Sequence, residues 1–145
     1  MSKVEVFLTN TEEKEVVEAI RLAEKNTSGE IRVHIEKETA IAPLERAMAV
    51  FHELKMMETK DRNGVIIYVA VKSRQFAIYG DKGINDVVES DFWDCTKDIM
   101  KSHFAKGENK LALVNGIHRA GEKLKAFFPF EDDDTDELSN EISKG

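Results

Sequence analysis

The chain has 145 residues but only one cysteine and two prolines, and no apolar run nears the ~20 residues that a membrane-spanning helix needs. With a single thiol, Cys95 closes no internal disulfide and supplies no cysteine-rich zinc site; it reads as a small core residue in a chain suited to a reducing compartment. The N-terminus, MSKVEVFLTN, lacks the basic start, long apolar centre and small-residue cleavage site of an export signal, so a cytoplasmic location is expected. Surplus basic charge is missing too. The formal net charge is -7, and residues 131–141 (EDDDTDELSNE) hold seven acids and no base, leaving 21 acids against 20 bases in residues 1–130. A nearly neutral body has no basic stripe to displace counterions from nucleic acid and no polybasic anchor for a membrane surface. The acidic run lacks the sixth-position glycine and closing glutamate of an EF-hand loop, so residues 131–145 are expected to form a solvated, unstructured tail.

What remains is enough for one buried core, with hydrophobic side chains at 41%, and residues 1–130 read as a single domain. TNTEEKEVVEAIRLAEKNTSG offers Asn10 or Thr11 as N-cap, acids in the first turn, and Val16, Val17, Ile20 and Ala23 on one face of a helix. EIRVHIEKE alternates strictly, Ile31, Val33 and Ile35 against Glu30, Arg32, His34 and Glu36, which predicts a half-exposed strand. Pro43 opens a second helix with Leu44, Ala47, Met48, Phe51, Leu54 and Met57 at helical spacing, so a βαβ crossover is expected. GVIIYVAV, residues 64–71, is apolar on both alternations, as a mid-sheet strand covered on both faces should be. A short polar break at 72–74 turns it into an antiparallel partner, QFAIY. Two helices follow: one with Val88, Phe92, Cys95 and Ile99 on a face, one with Leu113, Ile117, Ala120, Leu124 and Phe127, where Gly116 and Gly121 suit close helix packing. The fold class is α/β: a sandwich in the order α-β-α-β-β-α-α, with a small mixed sheet and helices on both faces.

If the first two strands are parallel and the third antiparallel, the segments SGE, DRNG and GDKGIND converge on one edge of the sheet. That gathers Glu30, Asp61, Asn63 and Asp81, with Asp86, Glu89 and Asp91 where the next helix begins. Carboxylates brought together repel one another unless a cation neutralises them, and hard oxygen donors select calcium or magnesium. Each residue also has a plain structural role available. On that reading Asp86 and Glu89 would complement a helix dipole, Asp61 and Asn63 would make a turn, and Gly80 and Gly83 would supply positive φ angles.

The order SGEIRVHIE, DRNGVIIYVAV, FAIYGDKGIN, an FWD helix, Gly107, GI at 116–117 and a closing FFP resembles the TPM domain family over about residues 10–130. That family is described as phosphatase-like, after thylakoid-lumen and photosystem-repair members, and the GDKGIN form is similar to its soluble, stand-alone bacterial subgroup. The resemblance implies a compact α/β sandwich with a divalent cation, typically calcium, held by loop acids; it carries Asp61, Asp81 and Glu30 onto this chain, with Asp86, Glu89 and Asp91 as a group. It implies two functions: a cation-binding module with a binding or regulatory role toward a protein partner, or a metal-dependent acid phosphatase hydrolysing phosphomonoesters. In the second, Lys82 or Arg62 would lie near the phosphate. The sequence contains no Cys-x5-Arg loop, DxDx start, G-x-S-x-G elbow or GxxxxGK[ST] cradle. A monomer is expected. His34, His52, His103 and His118 show no metal-binding spacing and read as surface residues, while Phe92, Trp93 and the Met56-Met57 pair read as core.

Overall fold

GVIIYVA presents an apolar or aromatic side chain on each alternation, and in the computed structural model all seven residues of that strand are buried. The structure describes residues 7–129 and 142–145. Its elements run α1 (Asn10–Glu24), β1 (Glu30–Glu36), α2 (Pro43–Glu53), a 3-10 turn (Met56–Glu58), β2 (Gly64–Ala70), β3 (Gln75–Gly80), α3 (Lys82–Asn85), α4 (Phe92–Ala105), α5 (Asn109–Phe127) and β4 (Ser143–Lys144). The strand order is β3-β2-β1-β4. β1 runs parallel to β2, with Glu30 opposite Gly64 and Glu36 opposite Ala70, and β3 returns antiparallel to β2. This is the α/β sandwich with a mixed sheet that the pattern predicts.

Period-two alternation divides the core between the two faces. Val33, Val65, Ile67 and Ile78 pack under α1, α4 and α5 against Ile20, Met100 and Ile117. Ile66, Tyr68 and Ala77 point the other way, onto Ala47, Val50 and Phe51 of α2 and onto Met56. Each fully buried Leu, Ile, Val or Phe contributes about 1.5–3 kcal/mol, so the two faces together hold the sheet between its helices. A Cβ added at Gly121 would lie 2.8 Å from the Ala23 Cβ, so the glycine that weakens α5 locally lets it approach α1. Among the described residues no helix is long and apolar enough to cross a membrane.

Several local expectations shift. The N-cap of α1 is Thr9, rather than Asn10 or Thr11: its hydroxyl accepts from Glu12 N at 3.1 Å while Glu12 Oε1 accepts from Thr9 N at 3.0 Å, a reciprocal capping box. Thr9→Ala should therefore cost about 1 kcal/mol in urea denaturation, with the far-ultraviolet spectrum otherwise preserved. In α2 the buried set is Ala47, Val50 and Phe51; Leu44 and Met48 face outward, because the helix stops at Glu53 and the left-handed Lys55 resets the chain before Met56. α4 begins only at Phe92, so its inner row is Phe92, Thr96 and Met100, and Cys95 is exposed rather than core. Thr96 is tolerated there because its hydroxyl donates to Phe92 O at 2.9 Å and accepts from Arg119 Nε at 2.8 Å. Phe127 at the end of α5 is exposed, whereas Leu113, Ile117, Ala120 and Leu124 are buried as expected.

β1 is the largest departure. Six of its seven residues are buried and Arg32 is intermediate, so it is not half-exposed, and His34 is no surface residue. One cause is β4, where Ser143 and Lys144 pair parallel to His34 and Ile35 and Gly145 N donates to Ile35 O at 3.1 Å. The other is Arg46, which reaches from α2 over the polar side chains. Of the tail, residues 131–141 lie outside the described residues, as do residues 4–6 of the segment VEVFL.

Candidate functional site

Three loops meet beyond the ends of β1, β2 and β3. The first is anchored by Thr27, whose hydroxyl donates to Leu124 O at 2.9 Å and to Phe128 O and accepts from Gly29 N at 3.0 Å. That fixes Ser28 at the end of α5. In the second loop Thr59 accepts from Asn63 N at 3.2 Å and Arg62 adopts a left-handed backbone, φ 51°. Asn63 then joins the first loop twice: its carbonyl accepts from Glu30 N at 3.4 Å and its amide donates to Ser28 Oγ at 3.2 Å. Ser28 Oγ in turn donates to Asp61 Oδ2 at 3.4 Å.

The third loop is tied to the second by Asp81 and Gly83. Asp81 N donates to Gly64 O at 2.9 Å, and the Asp81 carboxylate caps α3 by accepting from Lys82 N at 2.8 Å. Asp81 is 1% exposed. Its two oxygens also accept a bidentate fork from Arg62, Nε at 2.7 Å and Nη2 at 2.9 Å. The charge-assisted bonds to Asp81 push the Arg62 guanidinium above its ordinary range. Gly83 N donates to Arg62 O at 2.7 Å, and a Cβ at Gly83 would sit 2.6 Å from that oxygen and closer still to the Asp61 carbonyl.

The loops carrying Asp61, Asn63 and Asp81 thus meet, with Arg62 on Asp81 and Asp61 turned to Ser28, and Glu30, 2% exposed, lies at the head of β1, its N–H on the Asn63 carbonyl. The outer acids are engaged elsewhere. Asp86 accepts from Lys82 Nζ at 2.8 Å and Glu89 from Lys123 Nζ at 2.8 Å; these bonds raise the Lys82 ammonium and lower the Glu89 carboxyl. Asp91 stands exposed at the start of α4, its carboxylate 3.9 Å from Cys95 Sγ and its carbonyl accepting from Cys95 N at 2.9 Å. Among the described residues no three His, Cys, Asp or Glu side chains come together as a ready-made cage. Ser28 is the contributor that sequence reasoning missed; its signal was its place in SGE at the strand entry. Trp93, half-buried rather than core, donates from Nε1 to Asn85 Oδ1 at 3.0 Å beside the same loop.

A second polar cluster, also unforeseen, lies under α2. Glu36 Oε2 accepts from Tyr68 OH and from Arg46 Nε at 2.8 Å; Oε1 accepts from Arg46 Nη2 at 3.1 Å and lies 3.1 Å from His34 Nε2. His34 Nδ1 is 3.0 Å from Ser143 Oγ on β4. Burial alone would raise the Glu36 carboxyl, but the donors from Arg46, Tyr68 and His34 outweigh it and hold it at about 2. Burial pushes the His34 imidazole down, against the pull of Glu36, and burial with Glu36 pushes the Tyr68 phenol up. Closed over by β4 and α2, these groups are built to hold strands together.

Comparison with known proteins gives consistent results. The family model for the TPM domain matches residues 2–123. The chain is similar to the BA42 protein of the psychrophilic bacterium Bizionia argentinensis, known from an NMR structure, with 60% identity over 100% of both chains and a TM-score of 0.90. It shares its fold with the N-terminal domain of a P. gingivalis protein, at 19% identity over 83% of this chain and 78% of that one, TM-score 0.67. The N-terminal domain of the cg2496 protein from Corynebacterium glutamicum also has this fold, at 12% identity over 81% and 74%, TM-score 0.64. No curated protein matches the chain.

Proposed function

The chain belongs to the TPM domain family, and from that premise we propose that its three-loop junction binds a divalent cation, calcium with magnesium as the alternative, and serves as a cation-dependent binding module. The observation that carries this reading is a buried carboxylate, Asp81, neutralised by a half-exposed cation from the neighbouring loop, Arg62, which follows Asp61 in the chain. A buried carboxylate stripped of its partner is costly, so whatever displaces Arg62 must bring a positive charge or a proton to Asp81. Arg62 is half-exposed and can turn into solvent; a small ion can then take its place. The donors at hand fit a hard cation: the Asp61 and Asp81 carboxylates, the Ser28 hydroxyl, the Asn63 amide and the loop carbonyls are all oxygen. Glu30 adds charge behind them, whereas Asp86 and Glu89 are already paired with Lys82 and Lys123.

The phosphohydrolase alternative would seat a phosphate on Arg62 and Lys82. In this structure Arg62 pairs with Asp81 and Lys82 with Asp86, so a phosphate would have to compete with those carboxylates for both.

A calcium titration of the isotope-labelled chain tests the proposal. Amide shifts should change in residues 27–30, 59–64 and 80–86, and the melting temperature should rise. Asp81→Asn should lose both responses, while Arg62→Ala, freed of the competing guanidinium, should bind calcium about tenfold more tightly. Shifts confined to residues 131–141, or an Asp81→Asn protein that responds like the parent, would overturn it.

A further inference from the structure

β3 is an edge strand, and among the described residues nothing pairs with its outer side. The bond from Asp81 N to Gly64 O fixes which groups point where, because it makes Val65 and Gly80 a non-hydrogen-bonded pair. Gln75, Ala77 and Tyr79 therefore bond to β2, while the N–H and C=O groups of Phe76, Ile78 and Gly80 point away from the sheet. Edges of this kind are normally blunted, since they template pairing with another chain. This one instead forms the floor of a groove between α2 and α4. The groove has two stretches, of about 740 Å³ and about 510 Å³, which share Pro43 and Phe76.

The two walls differ. On the α2 side stand Pro43 and Leu44, with Leu44 49% exposed. On the α4 side stand Lys97 and Lys101, both exposed. Among the described residues five cations and three acids line the two stretches, a net of +2 in a chain of -7. Arg62 and Lys82 are committed to Asp81 and Asp86, which leaves Arg74, Lys97 and Lys101 against Asp94 alone.

We propose that the groove along β3 binds an extended acidic peptide of a partner protein, which adds a fifth strand to the sheet by bonding to Phe76, Ile78 and Gly80. Successive side chains of an added strand point to opposite faces. Aliphatic residues at alternate positions would meet Pro43 and Leu44, and Asp or Glu at the positions between would meet Lys97 and Lys101. Main-chain bonds supply the affinity and the two walls the sequence preference. The acidic run 131–141 of the same molecule is a poor occupant: the described residues on its two sides are held away from β3, Pro129 by a bridge to Thr27 ahead of β1 and Ser143–Lys144 by pairing with β1 at the opposite edge of the sheet. The pairing needs no metal, so the proposal stands apart from the cation reading.

The test is a titration of the labelled full-length chain in EDTA with a synthetic eight-residue peptide alternating Val and Glu, and with its Val–Lys counterpart. The Val–Glu peptide should shift the amides of Phe76, Ile78 and Gly80 and slow their hydrogen exchange. The Val–Lys peptide should leave them unchanged. A Lys97→Glu/Lys101→Glu variant, altered only on the surface and expected to keep its spectrum, should bind the Val–Glu peptide at least about tenfold more weakly. Equal binding of both peptides, shifts along β1 and β4 instead, or unchanged affinity in the charge-swapped variant would each overturn the proposal. So would a salt-sensitive dimer in sedimentation that the charge swap abolishes, since the occupant would then be a second copy of this chain.

Discussion

Glu36→Gln is expected to lower the stability of the chain by about 3 kcal/mol at neutral pH, measured by urea denaturation. The carboxylate is buried, and four donor atoms from Arg46, Tyr68 and His34 address it. A neutral amide satisfies only part of that set and leaves Arg46 without its counter-charge, although the partial exposure of Arg46 lets water take up some of the loss. Tyr68→Phe removes a single donor to a charged acceptor and should cost about 2 kcal/mol.

The same network sets the acid limb of the stability curve. Glu36 has its carboxyl held down from 4.5 to about 2 in the fold, so its contribution is complete above the unfolded value and is lost as pH falls from about 4.5 to about 2. A depression of that size corresponds to about 3 kcal/mol, in line with the substitution. His34 is also depressed, by burial, and so adds stability above its ordinary range that is lost on acidification below it. Both act in one direction. In Glu36→Gln the step below pH 4.5 should disappear; a parent-like acid limb in that variant would show that other carboxylates carry it.

Gly83→Ala should be comparably severe, at about 3 kcal/mol, with the calcium response lost. The added methyl would meet the carbonyl oxygens of Asp61 and Arg62, which are backbone atoms and cannot rotate aside. Relief requires the second and third loops to part, breaking the bond from Gly83 N to Arg62 O and disturbing the Arg62–Asp81 fork. Line broadening confined to residues 59–64 and 80–86, with the rest of the spectrum intact, is the expected signature. A variant as stable as the parent would mean the loops can separate freely.

Much of the architecture was legible because periodicity reports burial directly. GVIIYVA can be apolar on both alternations only in mid-sheet, and the short break at 72–74 allows only an antiparallel return. Those two inferences were enough to place the loops that carry Asp61 and Asp81 at one end of the sheet. Less visible was what neutralises them: Arg62 follows Asp61 immediately, yet its left-handed backbone turns it toward Asp81, and no spacing rule encodes that. EIRVHIE looked half-exposed because its polar positions alternate cleanly. In the fold those positions are buried and mutually satisfied, an outcome set by Arg46 and by Ser143, far away in sequence. β4 itself is two residues beyond a charged run, too short to carry any pattern. The inner row of α4 depends on where the helix begins, and a shift to Phe92 rotates Cys95 from core to surface.

That rotation has a practical side. The only thiol in the chain is accessible, on the helix that walls the β3 groove and within a turn of the loop carrying Asp86 and Glu89. A maleimide dye or nitroxide will attach at one defined point without engineering, and its fluorescence or paramagnetic broadening can then report, on a single sample, whether the proposed ion and the proposed peptide bind, and whether together or in turn.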